Sequence, residues 1–357
     1  MRRSATPLPL LGAVALWITA FSPACGESPG APVGQAAEVT DGGGAPADGG
    51  ALPDGVAPGD AAVARDAGAS RGVVAVVLFT HIEDQTPAGA LGTPQSRLSY
   101  TNLRTRLVEI AGRARARKLA WVLQPDWKYL EAALLYEDDT LKASTNGKNL
   151  FVHLRDDLGA VIDPHSHESG GYNYTDVAHL LDRLGVGGST VIGGHIWDPA
   201  LPQFQRWDRY RVPVAGLKYP TATWRGDVLI GAGTPNHVND PLVSGVWRPK
   251  DRDHFFDDDP AGNIVAIGKW RDEVAGVEEL VALYKNGTVA PSVMLTTSWN
   301  LKPAAILAAN GPADIDAKVF APLATLRDGG FIEVTDFTNL VAKWRTSLGG
   351  KAGVYKP

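Results

Sequence analysis

Ionisable residues crowd directly behind the first strongly apolar run of the chain. The run is residues 73–79 (VVAVVLF), and His81, Glu83 and Asp84 follow it closely. Burying ionisable groups without partners costs free energy. We therefore expect these side chains either to have a function or to find partners in another part of the chain.

A second polar segment ends the apolar run at residues 160–164. Side chains alternate along a strand, so Asp163, His165 and His167 should lie on one side and the two imidazoles should reach a common point. Two imidazoles and a carboxylate commonly bind zinc or a similar divalent ion in hydrolases. Such an ion lowers the pKa of bound water and polarises a carbonyl, while a nearby carboxylate acts as base. The pattern favours a metal site, with a merely polar loop as the alternative.

These residues must be positioned by elements that alternate between short apolar runs and helical patterns. Helices are predicted at residues 100–116, 127–136 and 174–184. Seven strands are predicted, at residues 73–79, 119–123, 160–164, 190–192, 213–217, 264–267 and 293–295. A further strand at 331–334 leads into a closing helix. This alternation predicts an α/β fold, a (β/α) barrel of seven strands and irregular form, with its chemistry where the strands end.

The N-terminus has the shape of an export signal. Two arginines precede an apolar stretch at residues 8–21, which is too short to span a bilayer, and small residues precede Cys25. The segment resembles a lipoprotein signal, so residues 1–24 should be removed and Cys25 lipidated. Residues 25–70 are rich in Gly, Ala, Pro and Asp and should form a disordered linker. We expect residues 71–357 to form the folded domain, anchored to the cell envelope at the outer membrane or cell surface, or otherwise periplasmic or secreted.

Composition excludes several classes of partner and of stabilising bond. The 357 residues contain one cysteine, so no internal disulfide can form. The net charge is −5, from 34 basic and 39 acidic residues that form no long block. This gives no electrostatic case for a nucleic-acid partner.

The barrel rhythm, the acids after strand one and the histidine pair after strand three together resemble the polysaccharide deacetylase family of the glycoside hydrolase/deacetylase superfamily. The closing segment, residues 323–344 (LATLRDGGFIEVTDFTNLVAKW), is also similar to the end of that fold. The resemblance covers about three quarters of the chain. It implies a metal-dependent hydrolase that removes acyl groups from a polysaccharide.

The same resemblance implies roles for individual residues. Glu83 matches the family's catalytic base, and Asp84 matches its carboxylate metal ligand. His165 and His167 match the two histidine ligands, and zinc is the ion expected. Arg248, in Trp247-Arg248-Pro249, matches the arginine that orients the catalytic carboxylate.

The chain also departs from the family pattern. Its two histidines are two positions apart rather than four, and its first acid is Glu rather than Asp. Ser298-Trp299-Asn300 stands where the family has a late histidine that acts as general acid. The acid is therefore unassigned, with Asp163, His195 and His237 as candidates.

Other residues are candidates for the substrate cleft. His81, Glu168, His195 and His237 lie in polar segments near predicted strand ends. Trp247 is one of ten tryptophans, and aromatic rings can stack on the apolar faces of sugars, although ordinary packing explains them equally well.

Three readings remain open. The first is an exported metal-dependent hydrolase that acts on acyl groups of a polysaccharide. The second is a non-catalytic surface barrel that binds glycan, which the missing late histidine favours. The third is a glycosidase that uses Glu83 and Glu168 as its pair of carboxylates.

Overall fold

The computed structural model of the protein describes residues 72–194, 206–231, 234 and 240–357. The predicted signal, Cys25 and the predicted linker lie outside these residues, as do His195 and His237. Among the described helices, none is long and apolar enough to cross a membrane.

The described strands form two five-stranded sheets and one two-stranded hairpin. The first sheet contains β1 (Val74–Ile82), β2 (Val122–Pro125), β3 (Val161–Ile162), β10 (Thr296–Asn300) and β11 (Ile332–Thr335). The second contains β4 (Val191–Ile192), β7 (Val228–Ile230), β8 (Ser244–Trp247), β9 (Val265–Ile267) and β12 (Gly353–Tyr355). The hairpin pairs β5 (Val214–Ala215) with β6 (Thr223–Trp224).

Helices connect most of these strands. They are α1 (Pro94–Ala116), α2 (Trp127–Tyr136), α3 (Asp139–Ala143), α4 (Leu150–Asp156), α5 (Tyr174–Arg183), α6 (Val274–Lys285), α7 (Pro303–Leu307), α8 (Gly311–Ile315), α9 (Ala321–Asp328) and α10 (Phe337–Leu348). A 3-10 turn (Arg209–Arg211) and a π-helical turn (Asp316–Phe320) complete the set. Several helices begin where a side chain caps free backbone N–H groups, as Asn173 does in a capping box at α5.

All pairings within the first sheet are parallel, and β1 lies at its centre. β1 pairs with β10 on one side, with β11 near its start and with β2 near its end. β2 in turn pairs with β3. Because the strands are parallel, their carboxyl ends meet at one edge, where the polar segments predicted from the sequence begin.

The second sheet is mixed. β4, β7 and β9 are parallel, whereas β8 is antiparallel to β9 and β12 is antiparallel to β8. A parallel bridge between His165 and Gly193 links the segment after β3 to the segment after β4.

One apolar core contains side chains from both sheets. It includes Ala75, Val77 and Phe79 from alternate positions of β1, together with Val228 and Val265 from the second sheet. A larger apolar cluster packs α1, α2, α4, α5 and α6 against the other face of the first sheet. The described residues therefore form an α/β fold with one parallel and one mixed sheet, with an apolar core between the sheets and another beneath the helices.

The structure corrects two predicted strands. The segment predicted at 213–217 forms only the short hairpin strand β5, outside both large sheets. The segment predicted at 293–295 precedes β10, which begins at Thr296. Most residues of β10 (TTSWN) are polar, so the prediction from hydrophobicity placed the strand on the apolar residues just before it. The sequence analysis also missed β6, β7, β8 and β12.

Candidate metal centre

The alternation of side chains brings two rows of polar residues to the carboxyl edge of the first sheet. Phe79 points into the core between the sheets, so two residues later His81 stands directly above it, with ring centroids 4.8 Å apart. His81 is the register partner of Gln124 on β2. Asp163 follows β3, whose Ile162 pairs with Leu123. We call His81, Gln124 and Asp163 the lower row.

The upper row lies one side-chain layer further out and contains Glu83, Asp126 and His165. A carboxylate oxygen of Glu83 lies 3.1 Å from Nε2 of His165 and 3.3 Å from Nε2 of His167. One ligand atom each from His81, Glu83 and His165 lie within 4.8 Å of one another. Residues some eighty positions apart in the chain therefore converge on one point.

His165 is held in the orientation that a metal ligand needs. Its side chain is fully buried, and its ring stacks on that of His81 with centroids 4.1 Å apart. Because a backbone carbonyl can only accept, Nδ1 carries a proton and donates to the oxygen of Gly193 over 2.9 Å. The hydroxyl of Tyr174 donates to the same oxygen. Nε2 is thereby left to face Glu83, which is the arrangement usual for ligating histidines.

Two glycines allow this close packing. A Cβ atom on Gly194 would lie 2.3 Å from Cε1 of His165, and the φ angle of Gly194 is +65°. A Cβ on Gly193 would lie 2.6 Å from the side-chain oxygen of Gln124. The Gly-Gly step after β4 thus lets the backbone approach both rows.

The charges in the cluster stabilise one another. Burial alone would raise the pKa of Glu83, but the hydrogen bond from His165 and the charges of the histidines lower that pKa to about 2. For His165, burial lowers the pKa, yet the hydrogen bond to Glu83 and its charge more than offset burial, so the pKa of His165 is raised. Burial, followed by the charge of His165, lowers the pKa of His81. Glu83 is therefore an anion facing a cationic or metal-binding pocket.

Asp126 is a residue of this region that the sequence analysis missed. It caps α2, accepting from the backbone N–H of Trp127 over 2.6 Å, and it accepts from the backbone N–H of His167 over 3.1 Å. Burial, partly offset by the charge of His165, raises the pKa of Asp126 to about 7. The available signal was an acid directly after a strand, Gln124-Pro125-Asp126, the same signal that singled out Glu83.

Two other acids predicted to belong to the site, Asp84 and Glu168, are not among the converging ligands. Asp84 is half-buried and is not in the group whose ligand atoms converge; that group has Glu83 instead. Glu168 lies at a positive φ of 53°, and its carboxylate pairs with Arg209 at 3.1 Å and accepts from the hydroxyl of Tyr210. Glu83 and Glu168 thus have separate sets of partners.

Asp163 is buried in the lower row. Its Oδ1 accepts from the hydroxyl of Ser189 over 2.7 Å, whereas Oδ2 has no hydrogen-bond partner among the described residues. Burial raises the pKa of Asp163 to about 7.

Arg248 and Trp247 lie at the end of β8. The guanidinium of Arg248 pairs with Asp258 at 2.6 Å and donates to the carbonyl of Gly350. The Trp247 ring is buried, and its N–H donates to the carbonyl of Phe255. Within the described chain, these hydrogen-bond partners of Arg248 and Trp247 thus lie in the second half of the sequence.

The residues that converge fit a divalent metal ion. Two imidazoles and a carboxylate supply the donor set that zinc prefers, and His167 lies beside the same carboxylate. The backbone carbonyl of Gly193 fixes the tautomer of His165. Buried atoms of His81, Gln124 and Asp163 have no hydrogen-bond partner in the described structure, so this region contains polar atoms that remain available for further contacts.

Comparisons with known proteins give only distant likenesses. No protein-family model matches the chain, and no curated protein matches it significantly. Among solved structures it is similar to PuuE allantoinase (11% identity, TM-score 0.47, covering 77% of this chain and 91% of that one). It is also similar to a probable polysaccharide deacetylase from Pseudomonas aeruginosa PAO1 (10%, 0.44, 76% and 91%) and to a GH57-type branching enzyme from Pyrococcus horikoshii (9%, 0.42, 77% and 71%). All three TM-scores lie below 0.5, so we draw no conclusion about activity from them.

Proposed function

We propose that the protein is an exported metal-dependent hydrolase that removes acyl groups from a polysaccharide, with zinc as the expected ion. One observation carries the proposal: ligand atoms of His81, Glu83 and His165 converge within 4.8 Å at the carboxyl edge of a parallel sheet. The fixed tautomer of His165 supports it, because a ligand already oriented loses little freedom on binding.

Each residue of the centre has a role in this proposal. His81, Glu83 and His165 would hold the ion, with His167 beside them. When bound, such an ion supplies Lewis acidity, which polarises a carbonyl group and makes water a better nucleophile. The base role that the family resemblance implies for Glu83 passes to another carboxylate, since Glu83 is one of the converging ligands. Asp126 is suited to it, because a carboxyl group with a pKa of about 7 can take and return a proton near neutral pH.

The fold in this proposal is a nearly closed (β/α) barrel. The bridge between His165 and Gly193 joins the two sheets on one side. On the other side, the hydroxyl of Ser244 on β8 donates to the carbonyl of Thr296 on β10 over 2.8 Å. The common apolar core between the sheets supports closure, since it is filled by alternate residues of both.

Export is the second part of the proposal. Residues 1–24 would be removed as a signal, Cys25 would carry lipid, and residues 25–70 would hold the domain at residues 71–357 away from the membrane. Mass spectrometry of the mature protein tests this. A diacylglycerol adduct on Cys25 is expected, and a product that retains residues 1–24 would contradict it.

Metal analysis of the purified full-length chain tests the catalytic part. We expect about one equivalent of divalent metal, loss of that metal in His165→Ala, and release of acetate from an acetylated polysaccharide that stops on chelation. His153→Ala is the matched control, because His153 is also buried and pairs with a carboxylate, Asp157, at 2.8 Å on α4. A metal-free chain whose properties are unchanged in His165→Ala would overturn the proposal.

A non-catalytic glycan-binding protein is the second candidate. One observation favours it: β10 ends in Ser298-Trp299-Asn300, without the late histidine of the resembled family. Glycan binding that survives chelation, with no acetate released from any acetylated polymer, would decide for this candidate.

A further inference from the structure

The lower row contains four buried polar atoms that lack hydrogen-bond partners in the described part of the chain. They are Nε2 of His81, both amide atoms of Gln124 and Oδ2 of Asp163. Gln124 is fully buried and Asp163 is 1% exposed. A buried polar atom without a partner costs free energy, so four of them in one row call for a specific explanation.

The register of the sheet puts these residues side by side. His81 and Gln124 are Cα partners across β1 and β2. Leu123 pairs with Ile162, and the N–H of Asp163 donates to the carbonyl of Leu123 over 3.0 Å, so Gln124 and Asp163 follow as neighbours. Laterally adjacent residues of parallel strands point to the same face, so Gln124 stands between the other two.

The chemistry of the three side chains is complementary. A carboxylate oxygen only accepts, a primary amide has one accepting and one donating end, and a neutral imidazole has one nitrogen of each kind. The amide nitrogen of Gln124 can donate to Oδ2 of Asp163 while its oxygen accepts from Nε2–H of His81. With Asp163 ionised, this arrangement satisfies all four atoms.

The surroundings clamp Gln124 in its place. A side chain on Gly193 would meet the Gln124 oxygen at 2.6 Å, so the backbone after β4 closes directly over the amide. The hydroxyl of Ser189 holds the other oxygen of Asp163 at 2.7 Å, which leaves Oδ2 for Gln124. The middle of the row and its Asp163 end are therefore fixed by groups outside it.

We propose that Gln124 is a positioning residue that links Asp163 to His81 and fixes His81 as the Nε2–H tautomer, with Nδ1 left as the nitrogen that offers its lone pair to the centre. The inference rests on the proposed function only in that the free nitrogen would face a metal ion. His165 and His81 then face the centre through different nitrogens, Nε2 of His165 and Nδ1 of His81. A backbone carbonyl fixes the tautomer of His165, and a side-chain relay fixes that of His81.

Nitrogen-15 NMR of the metal-free full-length chain, labelled at histidine, tests the relay directly. The long-range couplings between ring protons and ring nitrogens report which nitrogen carries the proton, and His81→Gln identifies the signals of His81. We expect the Nε2–H tautomer in the wild type and a mixture of tautomers in Gln124→Met. An Nδ1–H tautomer of His81 in the wild type overturns the inference, whether or not the variant folds.

A second variant and a control separate positioning from general packing. Gln124→Glu keeps the shape and the oxygen that accepts from His81, so it should retain the Nε2–H tautomer of His81 that Gln124→Met loses. Tyr129→Phe is the control, because the hydroxyl of Tyr129 is also buried without a partner but lies on α2. It should leave the His81 signals unchanged, and an equal disturbance in Tyr129→Phe would overturn the inference.

Zinc titration distinguishes the two proposals. We expect zinc affinity to fall by about 10–100-fold in Gln124→Met, the usual range for loss of a partner behind a ligand. Unchanged zinc affinity in Gln124→Met contradicts the positioning role. A wild type that shows the Nε2–H tautomer yet binds no zinc contradicts the proposed function and leaves the relay standing.

Discussion

Two buried groups of charged residues in this protein differ in how completely their hydrogen bonds are satisfied. In the first, Arg104 of α1 pairs with Glu137 at 2.7 Å, and both side chains are at most 5% exposed. The guanidinium also donates to the hydroxyls of Ser144 and Thr145, and the hydroxyl of Tyr100 donates to Glu137 over 2.6 Å.

In the second group, at the strand ends, four buried atoms of His81, Gln124 and Asp163 have no hydrogen-bond partner in the described structure, and only the proposed relay through Gln124 would pair them. A fully satisfied network stabilises one conformation, whereas an unsatisfied one costs stability unless something else occupies it. The difference teaches that burial and charge alone do not mark a functional site. The unpaired atoms that cluster at the strand ends indicate it.

Breaking the satisfied group should have the largest effect on stability. Glu137→Ala leaves the buried guanidinium of Arg104 without its anion, so we expect a loss of about 3–5 kcal/mol in the free energy of unfolding. Urea unfolding of the metal-free protein measures it. Zinc binding by the folded fraction should be unchanged, and a loss below about 1 kcal/mol would show that the pair is not structural.

A second satisfied carboxylate sharpens the comparison. Asp176 accepts from four backbone N–H groups, those of Asn173, Leu217, Lys218 and Tyr219. Asp176→Asn turns an amide group towards some of these donors, and since each unpaired donor costs about 1–3 kcal/mol, we expect a loss of about 2–4 kcal/mol. Urea unfolding measures this loss, and an unfolding free energy equal to that of the wild type would contradict it.

In the unsatisfied group, the buried carboxyl group of Asp163 should make the free energy of unfolding depend on pH. Asp163 has a pKa of about 7 in the folded protein, against about 3.9 in an unfolded chain. Between these values the folded state keeps a proton that the unfolded chain releases, so stability falls as pH rises.

Asp163→Asn imitates the protonated carboxyl group and removes that dependence. We expect the variant to gain about 1–3 kcal/mol relative to the wild type between pH 4.5 and pH 8, since one pKa unit is about 1.4 kcal/mol. Urea unfolding of both proteins at the two pH values, with a chelator present, checks the gain. A difference in unfolding free energy between variant and wild type that is the same at both pH values would refute it.

The smallest effect is expected where an unpaired atom lies away from the strand ends. Tyr129→Phe removes a buried hydroxyl that has no partner among the described residues, so unfolding free energy should change by less than about 0.5 kcal/mol or rise slightly. Reduced zinc affinity in this variant would break the comparison, because it would tie an unpaired atom in the helical layer to the metal centre.

Much of the fold could be predicted from local patterns in the sequence. The helix predicted at residues 127–136 has the observed bounds, Trp127–Tyr136, and the strand predicted at 73–79 lies within β1 apart from its first residue. Strands β6, β7, β8 and β12 were missed because short strands leave too few residues for a period to be visible. Strand β10 was displaced because most of its residues are polar.

The site could be predicted only in part. The sequence indicated the two polar segments that meet, and Glu83, His165 and His167 do lie together. It did not indicate Gln124, whose importance comes from the strand register, and Asp126 was missed although it is an acid directly after a strand. Partners such as Asp258 for Arg248 also depend on contacts that no local spacing encodes.

By itself, the sequence determined which residues are apolar or charged, which segments have the period of a helix or a strand, and which side chains can cap a helix. These properties follow from local side-chain chemistry and spacing. Only the tertiary structure decided which polar atoms found partners. Hydrogen bonding in a buried region depends on distances between segments far apart in the chain, and the convergence of His81, Glu83 and His165 exists only once β1 and β3 are joined through β2.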